Sequence, residues 1–129
     1  MAIVLIVEDE EQVRVLAESY LNEQGHRTIS AATAEEALAA LTALDVSERV
    51  DLLFTDIGLH GDLHAGLQLA KQAVEQRPEL KVLYTTGQGV TDGMMAMLVK
   101  DSAVLPKPYT VDQLQQSMAM HFGIEPASK

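Results

Sequence analysis

Cysteine and tryptophan are missing from this sequence, and two Phe and three Tyr are its only large aromatic residues. Without a thiol, disulfides, thiolate metal sites and thiol catalysis are all excluded. Basic residues are scarce as well: nine Lys and Arg face nineteen Asp and Glu, for a net charge of −10. Such a charge repels phosphate backbones and anionic membrane surfaces at long range, which argues against direct nucleic-acid or membrane binding. Long apolar runs are also lacking. The first one spans only Ile3 to Val7, acids follow at once and no basic leader precedes it. It reads as neither a signal peptide nor a membrane span, and the expected location is the cytoplasm. No repeat, low-complexity tract or linker divides the chain. Its 129 residues, 47% of them hydrophobic, suit a single domain over 1–129 with one ordinary core and no attached output domain.

What is present is a regular alternation. Four short apolar runs, Ile3 to Val7, Leu52 to Phe54, Val82 to Tyr84 and Val104 to Leu105, are too continuous for strands with one wet face. They read as strands buried on both sides. A weaker run, Arg27 to Ala31, predicts a further strand nearer an edge. Helical periods lie between them. Val13, Leu16, Ala17, Tyr20 and Leu21 share one face and Gly25 follows as a stop. Ala34, Ala37, Leu38 and Leu41 repeat the pattern behind Thr33 and Glu36, spaced as a capping box. Leu67, Ala70 and Val74 mark a third helix that ends before Pro78. Met94, Met97 and Leu98 mark a fourth, weakened by Gly93. Val111, Leu114, Met118 and Phe122 mark a fifth, with Thr110 and Gln113 again at capping-box spacing. Five strand–helix units joined by right-handed crossovers predict an α/β fold: a flavodoxin-like, doubly wound (βα)5 with a five-stranded parallel sheet in the order 2-1-3-4-5.

Ligands of such sheets bind beyond the carboxyl ends of the strands. The residues there are Glu8 and Asp9 after the first strand, Asp56 after the third, Thr86 and Gly87 after the fourth, and Lys107 and Pro108 after the fifth. Three carboxylates within roughly 4 to 6 Å of one another repel, each close pair costing on the order of a few kcal/mol. A divalent cation reverses that sign. Oxygen donors without His or Cys select a hard ion, and so few carboxylates suit Mg²⁺ better than a full Ca²⁺ cage. A carboxylate screened in this way can itself be a nucleophile toward a phosphoryl group. Asp56 is the best candidate, with the Gly58 carbonyl completing the metal shell, Lys107 meeting a phosphoryl oxygen and the Thr86 hydroxyl donating to another. Taken singly, each residue has a plainer explanation: Glu8 and Asp9 as helix caps, Asp56 as a bland strand end, Lys107 as surface charge. Their common position at one end of one sheet favours the joint reading.

At this point the chain resembles the receiver domain of two-component response regulators over nearly its whole length. The matching pieces are IVEDE (6–10), FTDIGL (54–59), Gly66 opening the third helix, VLYTTG (82–87) and LPKPYT (105–110). The resemblance implies Glu8 and Asp9 as acidic Mg²⁺ residues, Asp56 as phosphoacceptor, Gly58 as carbonyl ligand, Thr86 as switch hydroxyl and Lys107 as phosphoryl contact. It also implies a cis Lys107–Pro108 bond, and a partner in the form of a sensor histidine kinase or phosphotransfer protein.

The sequence departs from that family in several places. Val104 stands where an aromatic is usual, three positions before the lysine; Tyr84 and Tyr109 lie nearby, and neither is assigned as a substitute. The loop IGLHGDLHAG after Asp56 is about two residues longer than the common form and carries His60 where proline is typical. TTGQGVTDG after the fourth strand makes for a short or mobile fourth helix. A receiver subgroup associated with HWE-type histidine kinases similarly has a T-G stretch there and lacks the aromatic. His60, His64 and Asp62 form a weak candidate for a second metal site. Gly87, Gly89 and Gly93 imitate a dinucleotide loop after the wrong strand. Gln88 and Gly58 are expected to tune dephosphorylation by controlling water access.

The expected activity is autocatalytic only: phosphoryl transfer from a phosphohistidine to Asp56, with output through an unknown downstream protein or as a relay or sink. A phosphorylation-dependent homodimer is left open. Two rivals stand beside it. A phosphohydrolase would need a general acid two residues past Asp56, which Gly58 cannot provide. A receiver-like binding module working independently of phosphorylation is motivated by Val104 and opposed by the intact acids, threonine and lysine.

Overall fold

The structure is a computed structural model that describes residues 2–45 and 47–126; Met1, Val46 and residues 127–129 of the expected domain lie outside it. Strands and helices alternate without exception: β1 (Ile3–Val7), α1 (Glu11–Glu23), β2 (Arg27–Ala31), α2 (Ala34–Ala43), β3 (Leu52–Asp56), α3 (Ala65–Gln76), β4 (Lys81–Thr86), α4 (Asp92–Met97), β5 (Ala103–Pro106) and α5 (Val111–Phe122). All neighbouring strands are parallel and the order is β2-β1-β3-β4-β5. This is the flavodoxin-like doubly wound arrangement, and β2 lies at an edge, as its weaker pattern indicates.

Successive side chains of a strand point to opposite faces, and each buried strand here feeds two cores. Leu5, Val7, Leu53, Val82 and Tyr84 pack with Ala37 and Leu41 of α2 and Leu67, Ala70 and Ala73 of α3. Val4, Ile6, Leu52, Phe54 and Leu83 pack with Ala17 and Leu21 of α1 and Leu114 and Met118 of α5. Two covered faces explain the continuous apolar runs.

The ends of the elements differ in places from the sequence expectation. β3 and β4 run two residues further than their apolar cores, because backbone pairing carries on through Thr55↔Tyr84 and Asp56↔Thr85 whatever the side chains are. Thr110 and Gln113 form a complete capping box. At α2 only half of it forms: Thr33 accepts from the Glu36 N–H, while the Glu36 carboxylate reaches back to the Ala32 N–H at 2.9 Å. Gly25, at φ 90°, turns the chain out of α1. The fourth helix has six residues, under two turns, buries no residue and starts from a Thr91 cap; Leu98 closes it instead of extending it. No helix of the described residues is long and apolar enough to cross a membrane.

Candidate functional site

β1, β3 and β5 end at the same edge, and their last residues or the ones just beyond converge. Asp56 is the final residue of β3 and is 8% exposed. Its backbone is approached by α3, whose Gly66 N–H donates to the Ile57 carbonyl at 2.7 Å. A Cβ on Gly66 would stand 1.8 Å from the Asp56 carbonyl oxygen, so only glycine permits this approach. Glu8 follows β1 and is buried; its Oε2 accepts from the Glu10 N–H at 3.0 Å. The bond is no helix cap, since Glu10 is the N-cap residue of α1 and no side chain caps that helix, and it leaves Oε1 for Lys107. Lys107 follows β5, and its N–H continues the β4–β5 pairing by donating to the Thr86 carbonyl at 2.9 Å. Its ammonium lies 2.8 Å from Asp56 Oδ2 and 2.7 Å from Glu8 Oε1. The Lys107–Pro108 peptide bond is cis.

Asp9 completes the group: single oxygens of Glu8, Asp9 and Asp56 all lie within 4.8 Å of one another. Burial pushes the Asp56 carboxyl above its ordinary range, Lys107 opposes that, and the nearby Asp9 charge adds to it. Burial likewise raises Glu8, again against Lys107. For Asp9 burial acts upward too, but the backbone N–H of His60 and weaker contacts outweigh it and hold the carboxyl low. Lys107 is opposed by its own burial, yet Asp56 and Glu8 prevail and keep its ammonium well above the usual range. The lysine therefore remains a cation, paired closely with Glu8 and Asp56 and 3.9 Å from Glu10.

A cavity of about 300 Å³ opens beside this cluster, lined by Asp56, Gly58, Thr86, Gly87, Gln88 and Lys107 among others. The Thr86 hydroxyl accepts from the Gln88 N–H at 3.2 Å. Among the described residues no backbone N–H donates to the Gly58 carbonyl. The donor set fits a hard divalent cation: it is all oxygen, buried acids carry a surplus negative charge that one lysine leaves uncompensated, and a free carbonyl lies at the rim.

Not every sequence expectation ends up in this cluster. Among the described residues, Glu8, Asp9 and Asp56 make the one group of three acids or histidines close enough to share an ion; His60, Asp62 and His64 do not join, and His64 instead caps onto Asp62 Oδ1 through its N–H at 2.9 Å. Tyr84 is fully buried and its hydroxyl accepts from the Val99 N–H at 3.1 Å, beside Val104 in the β4–β5 register. Tyr109 packs edge-on against Phe54 at 5.7 Å, and burial near Glu8 pushes its phenol up to about 12. The contact missed from sequence is the His60 N–H on Asp9, because it joins two loops 51 residues apart.

A model of the response regulator receiver domain family matches residues 4–119. The chain belongs to this family. The receiver is 26% identical over 125 residues to sporulation initiation phosphotransferase F of Bacillus subtilis, covering 95% of this chain and 94% of that one. It is 30% identical over 112 residues to the nitrogen assimilation regulatory protein NtrX of Azorhizobium caulinodans, covering 86% of this chain. The match takes in only 24% of NtrX, so the receiver corresponds to about a quarter of that relative. Among solved structures, a CheY-like receiver domain protein from Methanospirillum hungatei superposes with a TM-score of 0.80 at 24% identity, covering 95% and 94% of the two chains.

Proposed function

We propose that this receiver takes a phosphoryl group onto Asp56 from the phosphohistidine of a sensor histidine kinase or phosphotransfer protein, in a Mg²⁺-dependent reaction. The observation that carries the reading is the position of Asp56: a buried carboxylate at the end of the central strand, 2.8 Å from the Lys107 ammonium and within 4.8 Å of Glu8 and Asp9. In the transfer an oxygen of Asp56 bonds to phosphorus, the P–N bond of the phosphohistidine breaks and the released imidazole nitrogen regains its lone pair. Glu8, Asp9, Asp56 and the Gly58 carbonyl would hold the cation, which when bound supplies the positive charge that screens Asp56 from the incoming phosphoryl oxygens.

The chain's own groups do the rest. Lys107, kept protonated by the two acids, meets the charge that arrives on the phosphoryl oxygens. Thr86, facing the same cavity, donates its hydroxyl to another of those oxygens, and that attraction draws the start of the β4–α4 loop inward. The new charge thereby biases a conformational equilibrium that a downstream protein reads, or the group is passed on in a relay. Residues 1–129 act as one receiver unit in the cytoplasm, and the chemistry they catalyse is their own phosphorylation and dephosphorylation.

The test is intact mass after incubation with a small phosphodonor, with and without Mg²⁺. The expected result is a gain of one phosphoryl group that requires Mg²⁺. If neither the phosphodonor nor a panel of phosphorylated histidine kinases adds mass, the phosphorylation-independent binding module replaces this reading.

A further inference from the structure

The loop between β3 and α3 folds back on itself as a small hairpin. Leu59 and Asp62 exchange both backbone hydrogen bonds, at 3.0 and 2.9 Å, leaving His60 and Gly61 as the two turn residues. Both have positive φ, 51° and 81°, as a tight primed turn requires. Leu59 is 3% exposed and anchors the hairpin in the core, so its tip has a fixed place above the sheet. At that tip His60 is fastened at both ends. Its backbone N–H donates to Asp9 Oδ2 at 2.8 Å, and its ring Nε2 lies 2.8 Å from the Ala32 carbonyl oxygen. A carbonyl only accepts, so this ring nitrogen carries the proton. One residue thus ties together the loops that follow β1, β2 and β3.

We infer that His60 is a positioning residue that sets the Asp9 carboxylate for the divalent cation. The inference rests on the reading of Glu8, Asp9 and Asp56 as the cation's ligands. Asp9 is a short side chain at the open rim of the cluster, less buried than Glu8 or Asp56. Left unfastened it would have to be ordered when the ion binds; a donor that fixes one of its oxygens lowers that cost. Groups that orient a metal ligand in this way typically account for about 10-fold to 100-fold in metal affinity. The ring contact to Ala32 holds the donor in place, and the left-handed backbone of His60 aims its N–H outward from the turn.

Calorimetric titration of Mg²⁺ into the full chain tests this on wild type, His60→Gly, His60→Pro and Asp9→Asn. His60→Gly keeps the N–H and suits the positive φ but loses the ring tether. His60→Pro loses the donor and cannot adopt the turn. We expect Mg²⁺ binding about 10-fold to 100-fold weaker in His60→Pro, a smaller loss in His60→Gly and the largest in Asp9→Asn. A folded His60→Pro that binds Mg²⁺ like wild type would overturn the inference alone. Absence of Mg²⁺ binding by wild type would overturn the cation reading, and the inference with it. A second measurement needs no change in the hairpin: the His60 amide proton resonance should move on Asp9→Asn and on Mg²⁺ addition to wild type. A resonance that ignores both would contradict the proposed link.

Discussion

Asp56 illustrates how a site residue can work against the fold that carries it. Its carboxyl is raised chiefly by burial, and Lys107 compensates only in part. A raised carboxyl binds its proton more tightly in the folded than in the unfolded chain. Stability therefore falls as pH climbs from the ordinary Asp value of 3.8 through the raised one, and the deficit is complete above it. Asp56→Asn removes the charge and should raise the urea midpoint near about pH 7, with the gain fading as pH drops below the ordinary carboxylate range. A lower midpoint at neutral pH would mean that Lys107 outweighs burial. The acids and the lysine were legible in the sequence because each stands within two residues of the end of an apolar run, near the carboxyl end of its strand. His60 was not, since nothing local shows that its N–H meets a carboxylate 51 positions away; the residue stood out as a possible ligand and as a departure from the typical proline.

At the scale of elements, the placing of Asp56 depends on how α3 leaves β3. A methyl on Gly66 would collide with backbone atoms of Asp56 and Ile57, which cannot yield as a side-chain tip could. Gly66→Ala should cost roughly 3 kcal/mol in denaturant unfolding, the upper end of ordinary overpacking, and should also slow modification of Asp56 by displacing its backbone. Retained stability would show that α3 can tilt away. Thr110→Ala offers the contrast. It removes the Thr110 half of the α5 capping box and should cost about 1 kcal/mol while leaving the phosphoryl chemistry intact, because the Thr110 side chain bonds Gln113 and none of the cluster residues. The capping threonines, the glycine after α1 and the proline after α3 made the helix borders readable. The strand ends were less so: the apolar runs stop at Phe54 and Tyr84, yet backbone pairing carries β3 on through Asp56 and β4 through Thr86. The shortness of α4 was foreshadowed by its glycines, but its exposure follows from packing, with no residue of the helix buried.

The molecule as a whole follows from alternation. Five strand–helix units with right-handed crossovers leave few ways to cover both faces of one sheet, and the order 2-1-3-4-5 brings the first and third strands side by side. That adjacency gathers acids from distant parts of the sequence into a space of 4.8 Å, and β5 returns a lysine to them across the sheet end. The net charge of −10 deepens the local field, so a divalent cation is attracted by the whole chain as well as by the cluster. The central claim, that this cluster directs a phosphoryl group to Asp56, is tested most directly by locating the group. The protein is phosphorylated with a small phosphodonor and Mg²⁺, reduced with borohydride to convert an aspartyl phosphate to homoserine, and mapped by peptide mass spectrometry. The account predicts homoserine at position 56 alone, and none in Asp56→Asn. Homoserine elsewhere, or a phosphoryl group still carried by Asp56→Asn, would contradict it.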